Sequence, residues 1–310
     1  MMNTPLSSAL RRKEHTEVFL QRIIRNRQFE DATECIQRCH KTFGIKPKSM
    51  LLVGDSGAGK STIIDSYIKK YPGSELIDRT TKPILKISLH SRVTINDMLS
   101  LLLEACGDPE FDKGTARSLL KRIYVLIREL GVQIIVIDEI HHVLPEHTHR
   151  RTQEAADMIK SMTDRSGIPF VLVGLPHAER LLTDSIKGKY DEDQLIRRFN
   201  STFHVKPALL GSTAWKNLMR AYQEASGVPC IDLTSDEMLK RMHLATNGYH
   251  GLIANIMEHA LEITDGTEQI IKNHFAKAYE MIASGRPSTG NPFTMSNSQV
   301  DQCLGVKLDA

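Results

Sequence analysis

Gly54-Asp55-Ser56-Gly57-Ala58-Gly59-Lys60-Ser61 fit the pattern G-x-x-x-x-G-K-[ST], whose residue types and spacing suit polyphosphate binding. The glycines let backbone N–H groups curl around phosphate oxygens, Lys60 reaches the β- and γ-phosphates, and Ser61, with Thr62 directly behind it, offers a hydroxyl to Mg²⁺. Taken alone, the loop also fits a plain glycine-rich turn. A second motif argues against that. Gln133-Ile134-Ile135-Val136-Ile137-Asp138-Glu139 is an apolar run of strand length that ends in two carboxylates. In a phosphate-loop ATPase the first acid, Asp138, holds Mg²⁺ through its waters, and the second, Glu139, orients and deprotonates the attacking water. No Asn-Lys-x-Asp guanine-reading motif occurs, so ATP is favoured over GTP.

These residues need a strand before the loop and a helix after it, and the chain supplies both: Met50 to Val53 is apolar and Thr62 to Lys70 is helix-forming. Further buried strands are expected over Pro83–Leu89, Pro169–Gly174 and Thr202–Val205. Helices are expected over Glu14–Arg25, Glu30–Thr42, Gln153–Arg165 and Asp191–Phe199, with Thr94 and Thr115 as caps of two more. Strands alternating with helices predict an α/β fold with a parallel sheet covered on both faces. From Ser212 onward the pattern is helical only: Thr213–Ser226, Ser235–Thr246, Tyr249–Thr264 and Glu268–Ile282. The organisation read from this is a basic helical lead-in over 1–48, a nucleotide-binding core over 49–207, a helical lid over 208–283 and a disordered tail over 284–310, rich in Gly, Pro, Ser and Asn.

The chain has 310 residues, 41% apolar and 25% charged, ordinary for a water-soluble globular protein. No apolar stretch approaches the ~20 residues of a membrane span, and Met1 to Lys13 lacks the apolar region of a secretory signal, so a cytoplasmic protein without membrane partners is expected. The five scattered cysteines are read as reduced thiols. Cys35, Cys39 and His40 share a helix face without a second ligand pair, and the histidine-rich stretch His141, His142, His147 and His149 matches no standard metal spacing. The formal charge is only +3, but residues 1–48 hold ten Lys/Arg against five Asp/Glu, a basic arm suited either to phosphates or to an ordinary solvated helix face.

A strand and two helices between the phosphate-loop strand and the Asp138 strand, followed by a helical lid, resemble an AAA+ ATPase. Three further words narrow the likeness: Asp138-Glu139-Ile140-His141-His142-Val143-Leu144, Ile168-Pro169-Phe170-Val171-Leu172-Val173-Gly174 and Gln194-Leu195-Ile196-Arg197-Arg198-Phe199. Together they resemble the transposition regulators called TniB or TnsC, relatives of phage Mu B protein, from about residue 15 to about residue 283.

The resemblance implies an AAA+ ATPase that binds ATP and Mg²⁺, assembles on double-stranded DNA as a homo-oligomeric ring or helical filament, and links a target-selection protein of the TniQ/TnsD type to the transposase. It implies that Arg197 or Arg198 completes the nucleotide site of a neighbouring subunit, an arrangement that can contribute roughly 10³–10⁵ in rate. It places the DNA contacts on Arg92 to Asn96 and on Lys113-Gly114-Thr115, with Arg117 and Lys121 adding charge at a helix N-terminus. Contacts to phosphates alone bind DNA without sequence preference. The chain departs from the AAA+ pattern in two places. Gly174-Leu175-Pro176 stands where a polar residue usually holds the attacking water, and Thr246 to Asn255 carries no phosphate-sensing arginine, leaving His250 or Asn255 as the polar residues available. ATP binding with slow, partner-stimulated turnover is therefore expected. The alternative reading is a helicase loader or signalling switch acting on a protein; a small-molecule kinase fits poorly, because two acids follow the third strand and the C-terminal region is all helical.

Overall fold

Five strands, three of them buried along their whole length, form one sheet. The structure, a computed structural model, describes residues 14–75, 80–91, 93–144, 149–183, 199–264, 269–282 and 290–305. The chain divides into two units: an α/β unit of 27–56 and 60–205, and a helical unit of 1–26, 57–59 and 206–310.

In the α/β unit, β1 (Ser49–Val53) is followed by a small antiparallel hairpin of β2 (Ser74–Glu75) and β3 (Thr80–Thr81), which the sequence pattern does not announce. Then come β4 (Ile84–Ser88), β5 (Ile134–Asp138), β6 (Phe170–Gly174) and β7 (Phe199–His204). The sheet order is β4-β5-β6-β1-β7, all parallel. Every residue of β1, β5 and β6 is buried, as central strands of a covered sheet require. Edge strand β4 holds one charge, Lys86, in its apolar run.

Helices α1 (Arg27–His40), α2 (Lys60–Ile68), α3 (Ile95–Cys106), α4 (Ala116–Glu129), α5 (His149–Ser166) and the short α6 (Arg180–Thr183) complete this unit. Both anticipated caps are present. The Thr94 hydroxyl accepts from the Asp97 N–H at 3.2 Å while the Thr94 N–H donates to Asp97 at 2.8 Å, a reciprocal capping box, and the Thr115 side chain accepts from the Ser118 N–H. Met98, Leu99, Leu102 and Leu103 of α3 join Leu119, Ile123 and Ile127 of α4 in the core. Expected helix residues 191–198 lie outside the described residues, and Phe199 opens β7, three residues before the expected Thr202.

The helical unit comprises a helical stretch over 14–21, then α7 (Thr213–Ala225), α8 (Asp236–Thr246), α9 (His250–Ile263), α10 (Lys272–Ile282) and α11 (Asn297–Cys303). Its centre is Trp215, fully buried, whose indole N–H donates to Leu239 O at 3.2 Å. Phe19 reaches the same core from the N-terminal stretch, so the lead-in does not behave as one piece over 1–48: the division falls between Asn26 and Arg27.

Disorder over 284–310 is the expectation that the structure corrects for 290–305. Phe293 stacks on Phe275 with ring centroids 5.6 Å apart, Val300 is buried, and the segment is nailed down by Arg241 of α8. This guanidinium, 2% exposed, donates to Pro292 O, to Met295 O at 2.8 Å and to the Asn297 side chain, and pairs with Glu237 at 2.9 Å. A few apolar anchors and one buried cation overcome a polar, turn-rich composition.

Candidate nucleotide site

β1 ends at Val53 and the chain turns through the glycine-rich loop into α2. Gly57 and Gly59 have φ of 76° and 94°, the left-handed region that a β-carbon disfavours, so the sequence requires glycine at both. Lys60 is buried at the first position of α2, and its Nζ donates to Gly54 O at 2.7 Å and Asp55 O at 2.9 Å. Burial pushes this ammonium below its ordinary pKa, opposed by the nearby carboxylates Glu139, Asp138 and Asp55. It is a buried cation hydrogen-bonded to two backbone carbonyls, with three carboxylates nearby. The Lys60→Ala variant should lose ATP binding by about 100-fold or more, since charged hydrogen bonds contribute about 1.5–3 kcal/mol each. Titration with a fluorescent ATP analogue reads this directly, and unchanged affinity would separate the loop from nucleotide.

Asp138 ends β5 with its side chain buried, and it accepts from the Ser61 hydroxyl at 3.3 Å. Desolvation raises its pKa, offset in part by Lys86, whose Nζ lies 3.8 Å from Asp138 and 2.5 Å from Asp65. Sequence reasoning missed Lys86, since one lysine in an apolar run gives no sign of facing an acid across a strand pair; the register Ser88↔Asp138 brings it there. A buried carboxylate beside a hydroxyl, with one lysine at the limit of ion-pair distance, is a donor set of the hard-oxygen kind that Mg²⁺ prefers. Glu139 follows with φ 55° and its N–H on Asp138 at 2.9 Å.

Leu175, at the position where AAA+ enzymes usually carry a polar side chain, caps a short 3-10 helix, Pro176–Glu179. Two residues on, His177 stands edge-on to His141 with centroids 5.2 Å apart. His141 is itself mostly buried, and desolvation together with its cationic neighbours lowers its pKa to about 4, leaving a neutral imidazole at pH 7.

Within the helical unit, the Gly251 N–H at the start of α9 donates to Gly57 O at 2.7 Å, and a β-carbon on Gly251 would meet that oxygen at 2.9 Å. His250 is not available as a phosphate sensor: its ring nitrogens face the Asn26 amide at 2.8 Å and the Tyr222 hydroxyl at 3.4 Å. Asn255 is exposed on α9.

Thr94 and Asn96 lie at the N-terminus of α3, and Thr115 and Arg117 at that of α4. The C-terminal ends of both helices return to Lys82, which donates its Nζ to Ala105 O and its N–H to Leu130 O. Asn96, Lys113, Thr115, Arg117 and Lys121 are exposed. Lys113 pairs with Glu110 at 3.1 Å, with both side chains in solvent. The residue that shapes this region was not anticipated. Arg122 donates to Asp108, Glu110 O and Lys113 O, folding the loop against α4.

Arg92, Arg197 and Arg198 lie outside the described residues. The basic arm is partly spent on structure: Arg22 donates to Glu224 O and Ala225 O, and Arg38 pairs with Glu34. Cys39 meets Phe170 O, and His40 meets the Tyr67 hydroxyl and the Gln133 side chain. All five cysteines are free thiols. Among the described residues no helix is long and apolar enough to cross a membrane.

A family model described as bacterial TniB protein matches residues 16–207. No curated protein sequence matches the chain. Among solved structures, the Aeropyrum pernix ORC1 protein in complex with DNA superposes with a TM-score of 0.60 at 14% identity, covering 94% of this chain and 85% of that one. Cdc6p from Pyrobaculum aerophilum gives 0.60 at 13%, covering 94% and 83%. The Aeropyrum pernix ORC2 protein, in ADPNP-ADP complexes, gives 0.58 at 16%, covering 90% and 74%. At these identities the likeness is one of fold.

Proposed function

The chain belongs to the TniB family and is built as an AAA+ ATPase, and from that premise we propose that it is an ATP-dependent, sequence-nonspecific DNA-binding regulator of transposition. What carries this reading is the family match over 16–207, a span that contains the whole phosphate loop and the Asp138-Glu139 pair.

In this reading Lys60 leaves Gly54 O and Asp55 O for the β- and γ-phosphates, and the N–H groups of the loop surround them. Ser61 and Asp138 hold Mg²⁺, supported by a hydroxyl and a buried carboxylate already 3.3 Å apart. Bound there, Mg²⁺ supplies charge neutralisation at the phosphate oxygens. Glu139 orients the attacking water and takes its proton. Arg197 or Arg198 is assigned to the γ-phosphate of a neighbouring subunit's nucleotide. With Leu175 unable to hydrogen-bond the water and His250 engaged elsewhere, turnover in the isolated protein is slow.

Duplex DNA is bound through phosphates by Arg92, Asn96, Lys113, Thr115, Arg117 and Lys121. Two capped helix N-termini, with exposed Lys113, Arg117 and Lys121 beside one of them, support this. Because such contacts read no bases, a target-selection protein of the TniQ/TnsD type chooses the site and the transposase docks on the assembled protein.

Electron microscopy of the Glu139→Gln variant with ATP and Mg²⁺, with and without a duplex fragment, tests the reading. Rings or filaments that form on DNA are expected, and monomers under both conditions would favour a loader or switch acting on a protein. In the same material, replacing Lys113 and Thr115 with alanine should weaken DNA binding about tenfold and reduce the salt slope by about 1, leaving ATP affinity intact. An unchanged salt slope would remove Lys113 from the interface.

A further inference from the structure

Glu139 does not stand alone at the edge of the sheet. The 3-10 turn Ile140–Val143 folds His141 and His142 back beside it, and one donor atom from each of the three side chains lies within 4.8 Å of the others. His141 Nδ1 is 3.2 Å from Glu139 Oε2, yet it is buried and off hydrogen-bond alignment, so this polar atom has no true partner. The rings of His141 and His142 sit 4.3 Å apart, tilted by 36°. Two donors held tetrahedrally at roughly 2.1 Å from one ion are themselves about 3.4 Å apart, so the Glu139–His141 separation is already that of two ligands sharing a cation. A His142 ring nitrogen is within 4.8 Å of both.

We propose that Glu139, His141 and His142 form a site for a divalent transition ion of the zinc class, and that its occupancy withdraws Glu139 from the attacking water while nucleotide remains bound. Two imidazoles and a carboxylate select such an ion over Mg²⁺, which takes oxygen ligands and belongs with Ser61 and Asp138. The stretch was set aside for metal at the level of sequence because its spacing matches no standard motif; the tight turn supplies the convergence that spacing along the chain does not show. The inhibitory half of the proposal rests on reading Glu139 as the base; the binding half does not.

Cobalt(II) is the probe, since bound to nitrogen and oxygen donors at low coordination number it gains visible absorption. The full chain should take up one Co²⁺ per subunit with a visible band, and the His141→Ala/His142→Ala variant should lose it. Added Zn²⁺ should lower ATP turnover at saturating Mg²⁺ without displacing a fluorescent ATP analogue. His142→Ala and His142→Gln, each compared with its own metal-free rate, should be about tenfold or more less sensitive. No band in the wild-type chain, a band that survives the double substitution, or equal zinc inhibition in all variants would overturn the site. Metal-free Glu139→Gln separates the two readings. If Co²⁺ binds but that variant turns over normally, the base assignment fails and the inhibitory half falls with it. If the variant is inactive and Co²⁺ does not bind, the metal site alone falls.

Discussion

Glu139→Gln lowers the rate of ATP hydrolysis roughly 10²–10⁴-fold, the range that a positioned general base contributes, and leaves ATP binding in place. The expectation follows from where charges sit. In the proposed site Lys60, Ser61 and Asp138 are the binding set, with Lys60 Nζ donating to Gly54 O and Asp55 O and the Ser61 hydroxyl to Asp138. Glu139 enters none of these bonds; its own N–H rests on Asp138 and its carboxylate faces His141. Glutamine keeps the size and loses the proton acceptor. Single-turnover hydrolysis beside equilibrium binding measures both quantities on one preparation. A variant that hydrolyses at the wild-type rate would take Glu139 out of the chemistry, and one that fails to bind would show a misfolded loop.

The second large effect is on stability. Arg241→Ala should destabilise the helical unit by about 2–3 kcal/mol, the cost of leaving buried acceptors without the donor they bond. The guanidinium is 2% exposed and joins α8 to the stretch that carries Phe293 and α11. Alanine leaves Pro292 O and Met295 O short of a donor in a place that water scarcely reaches, while Glu237 keeps Lys272 at 2.8 Å. Hydrogen exchange should accelerate across 290–305 before it does in α7. Arg241→Lys keeps the charge but not the fork, and falls between the two. A melting temperature indistinguishable from wild type would mean that Phe293 and Val300 hold the segment by themselves.

The central strands β1, β5 and β6 were legible in the sequence because each is built on an apolar run, and a central parallel strand needs little else. Both caps were legible because Thr94 and Thr115 stand just before helical periodicity begins. The chemistry of the phosphate loop was legible because its glycines answer to backbone conformations that other residues avoid. What sequence spacing could not show were meetings between distant elements: Lys86 beside Asp138 through strand register, His177 against His141, and Arg122 gathering the loop that presents Lys113. The order at 290–305 did have a local sign. Ser296 and Gln299 are spaced as a capping box, and both of its hydrogen bonds form.

Besides Asn247, Glu139 is the non-glycine residue with a positive φ among those described, and it carries an acid where the backbone favours glycine. A left-handed residue with a β-carbon gives up about 1 kcal/mol. Selection on folding alone would therefore drift this position toward glycine or asparagine and yield a sturdier chain with no base. With Glu139 as the proposed base, the acid at this position yields thermal robustness for turnover, and screens that enrich for heat resistance without assaying hydrolysis would be expected to lose it first.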